Sequence, residues 1–88
     1  MDIEHRVKLV LDNTLALNGR AQRFSPDTPL LGALPELDSM AVAELIGALE
    51  QDLGVAIEDD EIDGAVFETF GSLKEFVSRL VADRKAGR

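Results

Sequence analysis

Val42, Leu45, Ile46, Leu49 and Leu53 stand at i, i+3, i+4, i+7 and i+11 within SMAVAELIGALEQDLG. An α-helix gathers such a set on one side, because about 3.6 residues complete a turn and every third or fourth side chain returns to the same face. A strand would scatter the same residues over both of its surfaces. The spacing therefore predicts a helix over 39–53, ended by Gly54. It also obliges the rest of this 88-residue chain to cover an apolar stripe.

The rest of the chain supplies elements able to do so. Ile3, Val7, Val10, Leu11 and Leu17 predict a first helix over 2–17, with Asp2 and Glu4 near its positive end and Asn18-Gly19 as its stop. Residues 20–37 hold all three prolines and Gly32, which makes them a long connection. Phe24, Leu30, Leu31, Leu34 and Leu37 imply that this connection packs down on the bundle. Ile62, Val66 and Phe67 suit one side of a short third helix, weakened by Gly64. The last helix shows Leu73, Phe76, Val77, Leu80 and Val81 on one stripe. Ser72 with Glu75 is the predicted capping box at its start, and Arg79, Arg84 and Lys85 lie towards its end. The expected architecture is an all-α, four-helix bundle: three longer helices, one short helix and a long loop after the first, in a single domain over residues 1–88.

Charge and composition narrow the function. Net charge is −8, and residues 24–73 contain twelve carboxylates with no Lys or Arg. Such a surface repels nucleic acid and anionic lipid and attracts partners with basic patches. No apolar run approaches the roughly 20 residues of a membrane span, and VKLVLDNTLAL is interrupted by Asp12 and Asn13, so a cytoplasmic protein without membrane insertion is expected. The chain has no cysteine, so any thiol chemistry requires an imported thiol.

The candidate chemistry centres on Asp38-Ser39. Either side chain can cap the helix at 39, and neither is followed three residues later by Glu or Gln. If Asp38 takes the cap, the Ser39 hydroxyl is left free in the first turn, where a phosphodiester anion is favourably placed. Autonomous hydrolysis by Ser39 is not expected, because the one histidine is His5 near the N-terminus and no lysine lies between Lys8 and Lys74. No catalytic residue is assigned. Asp59, Glu61, Asp63 and Gly64 imitate the start of an EF-hand loop, but Phe70 occupies the position of the bidentate glutamate. Weak divalent-cation binding at Asp59, Glu61 and Asp63 is the most this cluster predicts.

L-D-S-M at the head of an acidic helix resembles the D-S-L/M attachment site of acyl carrier proteins. The following E-L-I-G-A-L-E-Q-D-L-G-V-A-I-E-D-D-E-I and the closing S-L-K-E-F-V-S-R-L extend that resemblance over essentially the whole chain. It implies that a phosphopantetheinyl transferase moves 4′-phosphopantetheine from coenzyme A onto Ser39, using Mg²⁺, and that the arm carries an acyl group as a thioester. Asp38 matches the family's acid before the serine. Met40, Ala43, Glu44, Gly47 and Glu50 match its partner-docking face, met by acyl-loading and acyl-transferring enzymes through Arg and Lys. Leu45, Ile46, Leu49, Ile57 and Ile62 correspond to interior positions that shelter an acyl chain. A monomer is expected. The chain departs from the housekeeping pattern at Ala41, where many fatty-acid carriers have an acid, at Gly47, where a larger apolar residue is common, and in V-F-E-T-F, which lengthens the region before the last helix. These departures favour a specialised carrier within fatty-acid, lipid or polyketide-type biosynthesis. An aminoacyl or peptidyl carrier, such as a D-alanyl carrier, shares the motif, and an unmodified acidic adaptor is the remaining alternative.

Overall fold

The computed structural model describes residues 2–86, with side chains throughout except at 59 and 84–86. Helix α1 (Ile3–Leu15) starts where the Asp2 carboxylate accepts the His5 N–H at 3.2 Å. Its buried stripe is Val7, Val10, Leu11 and Leu15. The helix ends earlier than the predicted stop at Asn18-Gly19. Ala16 adopts the left-handed conformation (φ 55°), and the Leu17 N–H reaches back to the Asp12 carbonyl at 3.1 Å. The reason is Leu17: six residues beyond Leu11, it would leave the stripe of a continued helix, whereas reversing the chain at Ala16 buries it to 1% exposure.

The connection that follows packs down, as its apolar residues require. A 3₁₀ turn (Arg20–Arg23) is anchored by the Asp12 carboxylate, which accepts the Ala21 N–H at 2.9 Å. Beyond it, the loop is fastened to the segment preceding the last helix by four main-chain hydrogen bonds. Leu30 and Leu31 donate to the carbonyls of Glu68 and Phe67, each at 2.9 Å. In return, Phe70 donates to the Thr28 carbonyl at 2.8 Å and Gly71 to the Pro26 carbonyl at 3.0 Å. Two of the amides that a helix start leaves unpaired are thus satisfied by the loop.

Helix α2 (Ser39–Leu53) has the bounds its spacing predicts, with Gly54 left-handed at its end (φ 67°). The short third helix resolves into two 3₁₀ turns, Asp59–Glu61 and Gly64–Phe67, with Ile62 between them rather than on either. The break falls there because the Asp63 carboxylate accepts the Ala65 N–H at 2.9 Å and restarts the chain at Gly64. Val66 and Phe67 are buried from this second turn.

Helix α3 (Phe70–Ala86) begins before the predicted cap. Thr69 is the capping residue: its Oγ1 accepts the Ser72 N–H at 3.1 Å, and the Ser72 Oγ accepts the Thr69 N–H at 3.1 Å. Ser72 is the partner in this box, and Glu75 stands exposed outside it. Burial explains the earlier start, since Phe70 is fully buried and its amide is needed by Thr28. The side chains of Arg84 and Lys85, predicted at the helix end, lie outside the described residues.

Leu11 from α1, Leu45 and Leu49 from α2, and Phe70, Leu73 and Val77 from α3 are all essentially inaccessible. Each such side chain contributes about 1.5–3 kcal/mol relative to exposure. Phe24 meets Phe70 edge to face, with ring centroids 6.1 Å apart, and the Lys8 ammonium lies 5.6 Å from the centre of the same Phe70 ring. Two ion pairs fasten α1 to its neighbours, and a third lies within it. Arg6 meets Asp52 at the end of α2 at 3.0 Å, and Glu4 meets both Lys8 at 3.3 Å and Lys74 of α3 at 3.1 Å. No helix among the described residues is long and apolar enough to cross a membrane.

Candidate functional site

At the head of α2, Asp38 has extended backbone (φ −104°, ψ −177°), and its Oδ1 accepts the Ala41 N–H at 2.8 Å. The ambiguity between Asp38 and Ser39 is thereby resolved: Asp38 is the cap. Ser39 occupies the first helical position, exposed, and its hydroxyl makes no hydrogen bond among the described residues. The residues fit a phosphodiester arm: a free, solvent-facing hydroxyl in the first turn of a helix, with an ordered carboxylate beside it.

The face running away from Ser39 is open. Met40 is 77% exposed, and Ala43, Glu44 and Gly47 are exposed along the same side of α2. Glu44 makes no ion pair among the described residues, and the place of a Gly47 side chain is empty space. Glu50 differs from the others. It is half-buried, and its Oε2 accepts the Ile57 N–H at 2.8 Å.

The five interior candidates divide by depth. Leu45, Leu49 and Ile57 are buried, whereas Ile46 and Ile62 are partly buried against the same core. A groove of about 530 Å³ lies elsewhere, lined by Pro26 and by α3 residues including Lys74, Glu75 and Ser78, and it draws no residue from α2. Among the described residues no group of acids or histidines is arranged to hold a metal ion. Glu61 and Asp63 are engaged locally instead, their carboxylates accepting the Glu58 and Ala65 N–H groups at 2.8 and 2.9 Å. The Asp59 side chain lies outside the described ones.

Sequence reasoning missed Thr69, the four-bond clasp and the Glu50–Ile57 bond. Thr69 was open to discovery, because a hydroxyl residue three before Ser72 is a reciprocal cap pattern. The other two join residues distant in sequence and leave no local pattern.

The family described as "Phosphopantetheine attachment site" matches residues 13–80. The solution NMR structure of a holo acyl carrier protein from Nitrosomonas europaea superposes with a TM-score of 0.85 at 40% identity, covering 93% of this chain and 99% of that one. The chain belongs to the acyl carrier protein family. A comparison with curated proteins finds no match. As a member of this family, the carrier is non-catalytic, and its cofactor is covalently bound 4′-phosphopantetheine. Phosphopantetheinyl transferase and acyl-handling enzymes are the partner classes of such carriers.

Proposed function

We propose that this carrier is loaded on the Ser39 hydroxyl, as a single cytoplasmic, monomeric domain, and serves one dedicated acyl-transfer pathway rather than housekeeping fatty-acid synthesis. The observation that carries the site is the division of labour at the head of α2. Asp38 satisfies the helix, so Ser39 is exposed and unpaired. When attached, the arm supplies a terminal thiol that holds an acyl group as a thioester. The chain's own residues do the rest. Asp38 fixes the helix start and so the direction in which Ser39 presents its oxygen. Met40 offers an apolar contact beside the attachment point, and Glu44 offers a free carboxylate to a basic partner. Leu45, Ile46, Leu49, Ile57 and Ile62 provide apolar surroundings for a cargo that turns inward.

The case for a dedicated pathway rests on the docking face. Position 41 is alanine, so no carboxylate stands two residues after Ser39, and Gly47 leaves a gap where a larger residue would reach a partner. Intact-mass spectrometry after incubation with coenzyme A, Mg²⁺ and a broad-specificity phosphopantetheinyl transferase tests the site. The expected result is a gain of one phosphopantetheinyl group in the wild type and none in Ser39→Ala. Substitution of this carrier for the housekeeping one in a reconstituted fatty-acid synthesis assay tests the pathway, and comparable rates would refute a dedicated role.

A further inference from the structure

Glu50 is bonded to the turn after α2 at three points. Its backbone carbonyl accepts the Gly54 and Val55 N–H groups at 2.9 and 3.2 Å, and its Oε2 accepts the Ile57 N–H at 2.8 Å. Ile57 is 8% exposed and belongs to the same core cluster as Leu45 and Leu49. Yet Glu50 is itself only half-buried and lies on the side of α2 that carries Ala43 and Gly47. One carboxylate therefore reaches an inner amide while remaining accessible from the face that partners approach. Glu44, two turns nearer Ser39, is exposed and has no such inner partner.

A hydrogen bond from an amide to a carboxylate is stronger than one between neutral groups, so Glu50 is the firmer hold on Ile57 for being charged. A guanidinium grips both oxygens of a carboxylate at once, and a half-exposed glutamate has rotamers that turn it outward to meet one. We propose that Glu50 is a positioning residue for the cargo interior. Its carboxylate keeps the segment carrying Ile57 and Ile62 shut, and an arginine or lysine of a docked partner takes that same carboxylate and releases the segment. This rests on the carrier reading above, and it adds that docking and opening share one side chain.

Amide exchange at Ile57, measured by NMR on the full-length unloaded chain, separates the two roles without any need for loading. Glu50→Ala should raise Ile57 exchange by about tenfold, because the amide loses its acceptor. Glu50→Gln keeps an amide oxygen in place and should restore part of the protection lost in Glu50→Ala, while Glu44→Gln should leave Ile57 unchanged. Adding a hexa-arginine peptide should speed Ile57 exchange in the wild type and in Glu44→Gln, and leave Glu50→Gln unmoved. Unchanged exchange at Ile57 in Glu50→Ala would overturn the latch. An equal peptide effect in Glu50→Gln, or none in the wild type, would overturn the coupling. If Glu50→Ala does not fold, the peptide comparison between wild type and Glu50→Gln decides the matter alone. Failure of Ser39 to gain mass would refute the carrier reading and leave these exchange results standing.

Discussion

Asp38 and Ser39 are neighbours with opposite structural standing, and substitutions should separate them. The Asp38 carboxylate satisfies an amide of the first turn that would otherwise lack a partner. Asp38→Ala should therefore lower stability by about 1 kcal/mol. The Ser39 hydroxyl supports nothing in the fold, so Ser39→Ala should change stability by no more than about 0.5 kcal/mol. Urea melts of both variants beside the wild type check this pair. A large loss in Ser39→Ala would show that its hydroxyl has a structural duty.

Two helical glycines make the corresponding contrast between elements. Gly47 sits inside α2 with open space where a Cβ would go, so nothing opposes the helix preference for alanine. Gly47→Ala should stabilise the carrier by about 0.5–1 kcal/mol. Gly71 lies in the first turn of α3, under the loop. A Cβ there would stand 2.7 Å from the Pro26 carbonyl oxygen, which is backbone and bonded to the Gly71 amide. Gly71→Ala should destabilise by about 1–3 kcal/mol, because the loop must move away and weaken the clasp. Thermal melts of the two variants should shift in opposite directions. Equal shifts would mean that the clasp yields without loss.

Across the whole molecule, positive charge is confined to the two ends of the chain, and the fold brings those ends together. Hydrogen bonds from Lys74, and then from Lys8, hold the Glu4 carboxyl below the ordinary glutamate value of 4.5, and the Arg20 side chain does the same for Glu36. A depressed carboxyl contributes stability that is fully present above its unfolded value and lost as pH falls through its folded value. The carrier should therefore lose stability on acidification below pH 4.5. Glu4→Gln should melt lower than the wild type at neutral pH, with the gap narrowing as the medium is acidified through that window. A gap independent of pH would show that the Glu4 pairs do not link α1 to α3 energetically.

Periodicity alone determined α2 from Ser39 to Leu53, the helical class, and the apolar stripe of α3, because each depends on residues within a turn or two of one another. The Asp38-Ser39 motif and the absence of cysteine pointed to an imported thiol for the same reason, since both are local facts of composition and order. Tertiary contacts decided the rest. Leu17 had to turn inward, which ended α1 at Leu15. Phe70 had to be buried with its amide on the Thr28 carbonyl, which moved the start of α3 to Phe70 and its cap to Thr69. Glu50 found its acceptor role only when the chain returned past Gly54. These outcomes depend on groups that meet in space after the chain folds back, and no spacing along the sequence records them.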